Sequence, residues 1–218
     1  MRSAEQGRRR YDSSGRRLQA QRNRERVLVV ATRLFVDQGY AATSMARVAA
    51  EAGVSSRTVF AAFESKVNLL KEVLDTAVVG DSAELPLHER PAMRAVHAAP
   101  TAQEAVERLA DAFASVVERV YDVYAVVHGA AAVDPEIAAL ERALEAQRLA
   151  GAAMLAATLA DRFGITDPAG IDYVRDAVWT VGSPLQYGLL VRGRGWTLSQ
   201  YRDWTARALA ALSRPVPD

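Results

Sequence analysis

Two short amphipathic segments joined by a glycine occupy residues 43–66, TSMARVAAEAGVSSRTVFAAFESK. Apolar residues recur three and four positions apart between Met45 and Ala52, which is the spacing of one helix face. Gly53 follows, and glycine tolerates the positive φ at which helices commonly end. Thr43 and Ser44 precede the first segment, where hydroxyls accept backbone N–H groups. The pattern predicts two short helices with a tight turn between them.

The second helix is expected to run from Ser56 to about Phe63. Ser55 can cap it, while Val59 and Phe63 fall on its buried face. A helix with this placement presents its N-terminal residues to a partner, as a DNA recognition helix does. The residues turned outward there are Ser56, Arg57 and Thr58. Taken alone, the pair is equally compatible with ordinary packing in an all-helical protein.

A third helix is expected from Gln21 to Gln38, ahead of Gly39. Its apolar residues form one stripe that can complete a three-helix core. They are Val27, Val30, Ala31, Leu34 and Phe35. A fourth helix is expected to begin at Lys66, directly after Ser65.

This order of signals resembles the DNA-binding domain of the TetR family of bacterial transcriptional regulators. The resemblance covers residues 21 to about 75, through ATRLFVDQGYAATSMARVAAEAG, then VSSRTVFAAF, then SK at the next helix. It implies a helix-turn-helix domain in which Ser44 and Lys66 hold phosphates. The residues that would face the DNA groove are Ser56, Arg57, Thr58 and Phe60. The full set of expected DNA-binding residues is Thr43, Ser44, Arg47, Ser55, Ser56, Arg57, Thr58, Phe60 and Lys66.

Two positions depart from the family pattern. Phe60 stands where the family usually has a tyrosine, and Ala62 stands where it usually has a histidine. Both changes remove polar contacts, so the operator sequence cannot be carried over. Arg57 is the best candidate for reading a base, since arginine grips guanine at two points. A solvated surface arginine explains the same position equally well.

The charge is distributed unevenly along the chain. Residues 1–71 carry 14 Lys and Arg against 6 Asp and Glu, a balance of +8. The remaining residues carry 13 against 20, a balance of −7. A basic N-terminal third can neutralise the phosphates of a nucleic acid. The acidic remainder is not expected to lie on the duplex.

The first 20 residues are rich in arginine and poor in apolar side chains. We expect residues 1–20 to form a disordered basic arm that reaches phosphates or a minor groove when DNA is present. A solubilising tail without specific contacts is the alternative. Residues 1–24, which include this arm, contain eight arginines: Arg2, Arg8, Arg9, Arg10, Arg16, Arg17, Arg22 and Arg24.

Helical signals continue after residue 75, and the pattern predicts an all-α chain. A connector containing Pro86, Pro91 and Pro100 leaves room for a short helix between Pro91 and Ala98. Thr101 with Glu104 predicts a capped helix to about Val133. Later helices are expected to start at Asp134-Pro135, Asp167-Pro168, Ser183-Pro184 and Thr197.

The resemblance implies that residues 76–218 form a helical bundle for effector binding and dimerisation, after a DNA-binding domain at 21–75. A homodimer through the last two long helices, with Trp179, Tyr201 and Trp204, would set two recognition helices about 34–36 Å apart on a palindromic operator. A pocket for a small, largely apolar effector is expected from Phe113, Tyr121, Tyr124, His128 and Met154, although core packing explains each of them as well.

These observations favour a homodimeric repressor of a palindromic operator, released by a small molecule. A ligand-independent regulator, an activator and a non-specific architectural DNA-binding protein remain alternatives. Catalysis, cofactors and metals are not expected, because the three histidines show no ligand spacing and no phosphate loop or nucleophile elbow is present. The absence of cysteine, of a signal sequence and of a long apolar run favours the cytoplasm, at the nucleoid, without membrane contact.

Overall fold

The computed structural model describes residues 2–80 and 89–213, with side chains from residue 15 onward. Its described residues form ten α-helices and one π-helical segment, with no strand among them. The prediction of an all-α chain is therefore confirmed. The chain divides into two compact units, Met1–Val73 and Leu74–Asp218. None of the described helices is both long and apolar enough to cross a lipid bilayer.

The first unit is built from three helices and the start of a fourth. These are α1 (Arg2–Ala42, interrupted at Gly39), α2 (Met45–Ala52), α3 (Ser56–Phe63) and α4 (Lys66–Val79), the last of which continues into the second unit. Gly39 leaves the helix at φ 78°, a conformation that suits glycine because it has no Cβ. The three predicted helices of the N-terminal core are confirmed.

Apolar residues from all four helices form the core of this unit. Leu34 and Phe35 of α1, Val59 of α3 and Leu69 of α4 are fully buried. Burying a side chain of this size contributes roughly 1.5–3 kcal/mol relative to exposure. The core therefore fixes α3 against α1, and with it the direction in which the remaining faces of α3 point.

Residues 2–20 lie in α1, where the sequence predicted a disordered arm. Residues 15–22 are exposed throughout. A helix segment without tertiary packing is only marginally stable in water, even when its residues favour helix. Among the side chains described for α1, the first that is buried is that of Val27, so the helical residues before it lie outside the core.

Six helices follow in the second unit after α4. They are α5 (Pro91–His97), α6 (Ala102–Ala131), α7 (Pro135–Phe163), α8 (Pro168–Val181), α9 (Pro184–Tyr187) with the π-helical segment Gly188–Gly193, and α10 (Leu198–Ala211). The predicted short helix after Pro91 is confirmed as α5. Pro86 and His88 of the connector lie outside the described residues.

The start signals in the sequence are confirmed as N-caps. Thr101, Asp134, Asp167, Ser183 and Thr197 each accept a backbone N–H of the helix that follows. Proline occupies the first turn of α7, α8 and α9, where its missing N–H has no helical partner to lose. Local chemistry therefore sets the beginning of most helices in this unit.

Helix α6 occupies the centre of the second unit. It packs against α5, α7, α9 and α10, and α7 packs in turn against α8. Leu109 and Val127 of α6, Leu159 of α7 and Val178 of α8 are among its buried side chains. Tyr201 of α10, predicted from the sequence to lie in a dimer contact, is completely buried within its own chain, so its side chain is not exposed to a partner.

Candidate nucleic-acid interface

Helices α2 and α3 are joined by a tight turn that is capped on both sides. The Ser44 hydroxyl accepts the N–H of Arg47 at 3.2 Å, which begins α2. Gly53 ends α2 in the left-handed region at φ 66°. Ser55 then accepts the N–H of Thr58 at 3.1 Å and begins α3. These local bonds build the predicted helix-turn-helix from residues 43–66.

One side of α3 faces solvent. We call its residues Ser55, Ser56, Arg57, Thr58 and Phe60 the recognition face. Arg57 makes no hydrogen bond or ion pair with the residues that the structure describes, so its five donors point to solvent. Phe60 leaves 51% of its surface exposed, although it is a large apolar side chain. An unpartnered guanidinium beside an exposed ring suits contact with base edges and sugar.

Ser55 and Thr58 hold the N-terminal end of this face in place. Their hydroxyl oxygens lie 2.8 Å apart, in addition to the capping bond to the Thr58 N–H. The two hydroxyls are thus partly committed to each other, while each retains capacity for a further bond. They can contact a phosphate without giving up the cap.

Arg47 on α2 is held by neighbours. Its Nε donates to Glu51 at 3.0 Å and its Nη1 donates to Gln38 of α1 at 2.6 Å. Arg33 also pairs with Glu51. The hydrogen bonds from Arg47 and then Arg33 hold the pKa of the Glu51 carboxyl below its ordinary value. Arg47 therefore braces α1 against α2, and only its remaining donors can reach DNA.

Thr43 lies at the joint between α1 and α2, with its side chain turned away from solvent. It is 1% exposed, and its hydroxyl donates to the carbonyl oxygens of Gly39 at 2.9 Å and Leu34 at 3.1 Å. The side chain satisfies the carbonyls freed where α1 is interrupted, so it serves the joint between α1 and α2. The Thr43 side chain, predicted to contact DNA, is therefore not accessible to it.

Lys66 lies at the first residue of α4 and is directed toward Tyr40. Its Nζ donates to the Tyr40 carbonyl at 3.0 Å and lies 4.0 Å from the centre of the Tyr40 ring. A lysine ammonium has three donors, so two remain for a phosphate. The contact with Tyr40 fixes the ammonium in place.

The sequence did not reveal the role of Arg24. From α1, its Nη1 donates to the Ala62 carbonyl at 3.0 Å and its Nη2 pairs with Glu72 of α4 at 2.5 Å. Its guanidinium also lies 4.7 Å from the centre of the Phe63 ring. Arg24 thus joins α1, α3 and α4. From the sequence it was expected to act with the arginines of the N-terminal arm. Contacts so distant along the chain leave no local signal.

The five residues predicted to line an effector pocket do not meet in one place. Phe113 packs against Gly182 at the end of α8. Tyr121 contacts Gly188 and lies 5.4 Å from Tyr187, measured between ring centres. These two predicted residues face the α8 and α9 side of α6.

Of the other three candidates, Tyr124 and His128 contact α7 and Met154 lies on it. Tyr124 is buried and its hydroxyl donates to Glu145 at 2.6 Å. Burial, followed by the bond to Glu145, raises the pKa of the Tyr124 hydroxyl. His128 is exposed, with its Nδ1 2.6 Å from Glu141, and Met154 is 51% exposed. Of the three, Tyr124 alone is buried.

Residues 27–73 match the family model described as bacterial regulatory proteins, tetR family. The match extends from the buried part of α1 into α4, so it contains the turn, the recognition face and the core beneath it. Residues 27–73 therefore match the DNA-binding domain of the TetR family. Its members are transcriptional regulators and not enzymes, which confirms the prediction of a non-enzymatic protein at that level.

One curated relative is the HTH-type transcriptional activator FasR of Mycolicibacterium smegmatis, 39% identical to this chain over 64 residues. The aligned segment spans 29% of this chain and 29% of that activator. The likeness to this TetR-family relative is thus confined to a short segment.

Two solved structures share the fold over most of the chain. One is NalD of Pseudomonas aeruginosa, a secondary repressor of the MexAB-OprM multidrug efflux pump, with a TM-score of 0.63, 16% identity, and coverage of 88% of this chain and 96% of NalD. The other is a putative transcriptional regulator from Saccharomonospora viridis in complex with choline, with a TM-score of 0.62, 22% identity, and coverage of 86% and 95%. At these identities the likeness is one of fold.

Proposed function

We propose that this protein is a homodimeric, sequence-specific DNA-binding repressor that leaves a palindromic operator when a small molecule binds. The observation that carries the proposal is the recognition face, where Arg57 and Phe60 are exposed on a helix fixed by its cap and core. In the cytoplasm such a face would find its operator on the nucleoid.

The proposed division of labour follows from the partners of each residue. Arg57 reads a base, because its guanidinium makes no bond with the described residues. Phe60 contacts sugar or a thymine methyl, and Ser56 lies beside them on the exposed side of α3. Phosphate contacts come from Ser44, Ser55, Thr58, Arg47 and Lys66, which already have protein partners that fix their positions.

The proposed dimer uses an exposed apolar face of α7, in place of the last two long helices that the sequence indicated, because Tyr201 of α10 is buried. Leu149 is 38% exposed and Met154 is 51% exposed on this helix. Exposed alanines spaced three and four residues apart accompany them, and small residues allow a second helix to approach closely. These alanines are Ala139, Ala143, Ala146, Ala150, Ala153 and Ala157. A two-fold axis through this face would give the operator its palindrome.

The proposed effector site lies among α6, α7 and α8, around Tyr124. Glu145 accepts hydrogen bonds from the Tyr124 hydroxyl and from the Trp179 indole at 3.1 Å, and it pairs with Arg148 at 2.6 Å. The polar group of a small, largely apolar molecule could replace one of these partners of Glu145. The choline complex of the Saccharomonospora regulator supports a small-molecule effector in general terms.

Release requires that the effector binds the DNA-free conformation more tightly than the DNA-bound one, because only differential affinity shifts the equilibrium. Helix α4 is the proposed transmitter. Its Glu72 pairs with Arg24 in the first unit, and its Ala77 and Val78 carbonyls accept bonds from Arg119 in the second, both at 3.2 Å.

The test is fluorescence anisotropy with DNA from upstream of the protein's own gene, at about 0.15 M salt and with excess random DNA. Specific binding that survives the competitor supports a regulator, and loss of that binding on adding candidate small molecules supports effector release. Random-sequence selection is the control where the upstream DNA fails to bind. Selection that recovers no shared sequence would leave a non-specific architectural protein as the correct function.

The sign of regulation needs a separate measurement. A reporter driven by the selected operator should be less active with the protein than without it, as expected of a repressor. An increase instead would make the protein an activator, as FasR of M. smegmatis is.

A further inference from the structure

A groove of about 620 Å³ runs between the N-terminal part of α1 and the side of α3. One wall is formed by α1 residues between Arg16 and Val27, and the other by α3 residues between Ser55 and Phe63. Both walls belong to the first unit. Most of the α1 wall precedes Val27, where the match to the TetR family model begins.

Arginines and amide groups line this groove among apolar side chains, and one of the arginines, Arg24, is already paired with Glu72. Arg16 contributes a guanidinium from one wall and Arg57 contributes another from the opposite wall. Gln19 and Asn23 add amide groups on the α1 side. No carboxylate is among the described residues that line it. Such a lining is complementary to an anion with several oxygens and not to a cation.

The groove is continuous with the recognition face. Ser55, Arg57 and Thr58 belong to both, because they lie where the exposed side of α3 turns toward α1. A DNA strand that passes in front of the recognition face can therefore continue into the groove without leaving the basic surface.

The length of the α1 wall favours a strand over a small anion. Arg16 and Asn23, the first and last of the polar α1 residues that can meet a backbone here, are seven residues apart, which corresponds to roughly 10 Å of α-helix. A single DNA strand carries one phosphate per ~3.4 Å along the helix axis, so a wall of this length spans several phosphates. A free phosphate would occupy only a small part of it.

We propose that this groove binds the sugar-phosphate backbone of the operator next to the bases that α3 reads, with Arg16 and Gln19 as the α1 contacts. The inference rests on the proposed function, since it needs a protein bound to DNA. It adds a second phosphate-binding surface, outside the helix-turn-helix, to each half-site.

The test compares Arg16→Ala with Arg17→Ala in the full-length protein. Both changes remove one exposed arginine from adjacent positions of α1, but only Arg16 lines the groove. Loss of one phosphate contact in each half-site should weaken operator binding at least about fivefold at 0.15 M salt and reduce the slope of log K against log salt concentration by about 1.8, which is 0.9 for each contact. Arg17→Ala should leave affinity and slope close to those of the wild type.

A second pair of variants adds a carboxylate instead of removing a cation. Gln19→Glu places it in the groove, and Leu18→Glu places it on an exposed position that does not line the groove. Gln19→Glu should weaken binding more than Leu18→Glu does. Circular dichroism of the free proteins checks that the four variants keep the helical content of the wild type.

Two failures can be told apart. If the wild-type protein shows no operator preference over random DNA, the proposed function is wrong. If the wild type is specific but Arg16→Ala and Arg17→Ala change affinity and salt slope equally, the groove is not a backbone site. Hydroxyl-radical footprinting should agree, with protection beside each half-site that Arg16→Ala removes and Arg17→Ala keeps.

Discussion

Arg24 donates a hydrogen bond from its Nη1 to the carbonyl oxygen of Ala62, at 3.0 Å, across 38 residues of sequence. Ala62 lies in the last turn of α3, where carbonyl oxygens lack helical partners and carry a partial negative charge. The same guanidinium pairs with Glu72 and stacks on Phe63. Arg24 is therefore a positioning residue for the recognition helix, and it ties that helix to α4.

Replacing Arg24 with alanine should destabilise the first unit and weaken operator binding together. We expect a loss of about 1–2 kcal/mol of unfolding free energy, because one charge-assisted bond and one partly exposed ion pair disappear. The salt slope of operator binding should stay unchanged, since Arg24 is not proposed to hold a phosphate. Urea denaturation and anisotropy at several salt concentrations measure the two quantities.

Arg22→Ala is the matched control, because Arg22 is exposed and makes no bond with the described residues. Its stability should remain within about 0.5 kcal/mol of the wild type. A reduced salt slope in Arg24→Ala would show that Arg24 contacts DNA directly, contrary to the positioning role.

The residue after α3 adopts an unusual backbone conformation. Glu64 has φ 62° and ψ −47°, and the Ser65 N–H donates to the Phe63 carbonyl at 2.6 Å, which together describe a γ-turn. A side chain in such a conformation costs about 1–3 kcal/mol. Glu64→Gly should therefore stabilise the protein by about 1 kcal/mol, after the greater chain entropy of glycine is subtracted. Urea denaturation measures the gain.

Two further variants at this position separate strain from charge. Glu64→Gln keeps the Cβ and should leave stability nearly unchanged, whereas Glu64→Val should lower it because a β-branched side chain fits a positive φ poorly. A gain from Gln equal to that from Gly would assign the effect to the carboxylate.

Alkaline pH should destabilise the second unit through its buried tyrosines. Burial raises the pKa of Tyr201 from 10.0 to about 12. Between these values the unfolded chain loses the phenolic proton while the folded chain keeps it, so folding stability is complete below pH 10 and falls as pH rises toward 12. For Tyr201 alone the fall is about 2–3 kcal/mol.

Tyr201→Phe should reduce this alkaline fall, because phenylalanine has no proton to lose. Tyr173→Phe removes the hydroxyl of an exposed tyrosine and serves as the control. Urea denaturation at pH 9 and pH 12 compares the three proteins. Equal falls in all three would show that Tyr201 is not the group responsible.

The proposed dimer depends on close approach at α7. Ala150→Glu places a charge at the middle of the exposed apolar face and should shift the protein from dimer to monomer in analytical ultracentrifugation. Ser199→Glu adds the same charge at an exposed position of α10 and should leave the dimer intact. A dimer that persists in Ala150→Glu would place the interface on another helix.

The helix starts were readable from the sequence because capping is local. Ser44, Ser55, Thr101 and Asp134 bond to N–H groups two or three residues away, so residue type and spacing are enough to predict them. The Thr197 capping box with Gln200 is complete, whereas Glu104 pairs with Arg108 instead of returning to Thr101. Even a local motif thus depends on which partners are within reach.

The positions of polar side chains were less predictable, because their partners are distant in the sequence. Thr43 is of a residue type that often caps helices, yet its hydroxyl points inward, to the Gly39 carbonyl where α1 is interrupted. Arg24 follows a run of arginines in the sequence, so it was grouped with the basic arm. Its contact with Ala62 forms only when α1 and α3 pack together. Tyr121 and Tyr124 are three residues apart on α6, but they face different neighbours.

The central claim is that α3 reads DNA sequence, and the most direct measurement is a random-sequence selection with wild type and Arg57→Ala. We predict that the wild type recovers a palindrome. We further predict that Arg57→Ala loses preference at one position in each half-site, with a cost of about 1–3 kcal/mol for the favoured base. An unchanged sequence profile would contradict a base-reading role for Arg57, and the absence of any shared sequence with the wild type would contradict the account as a whole.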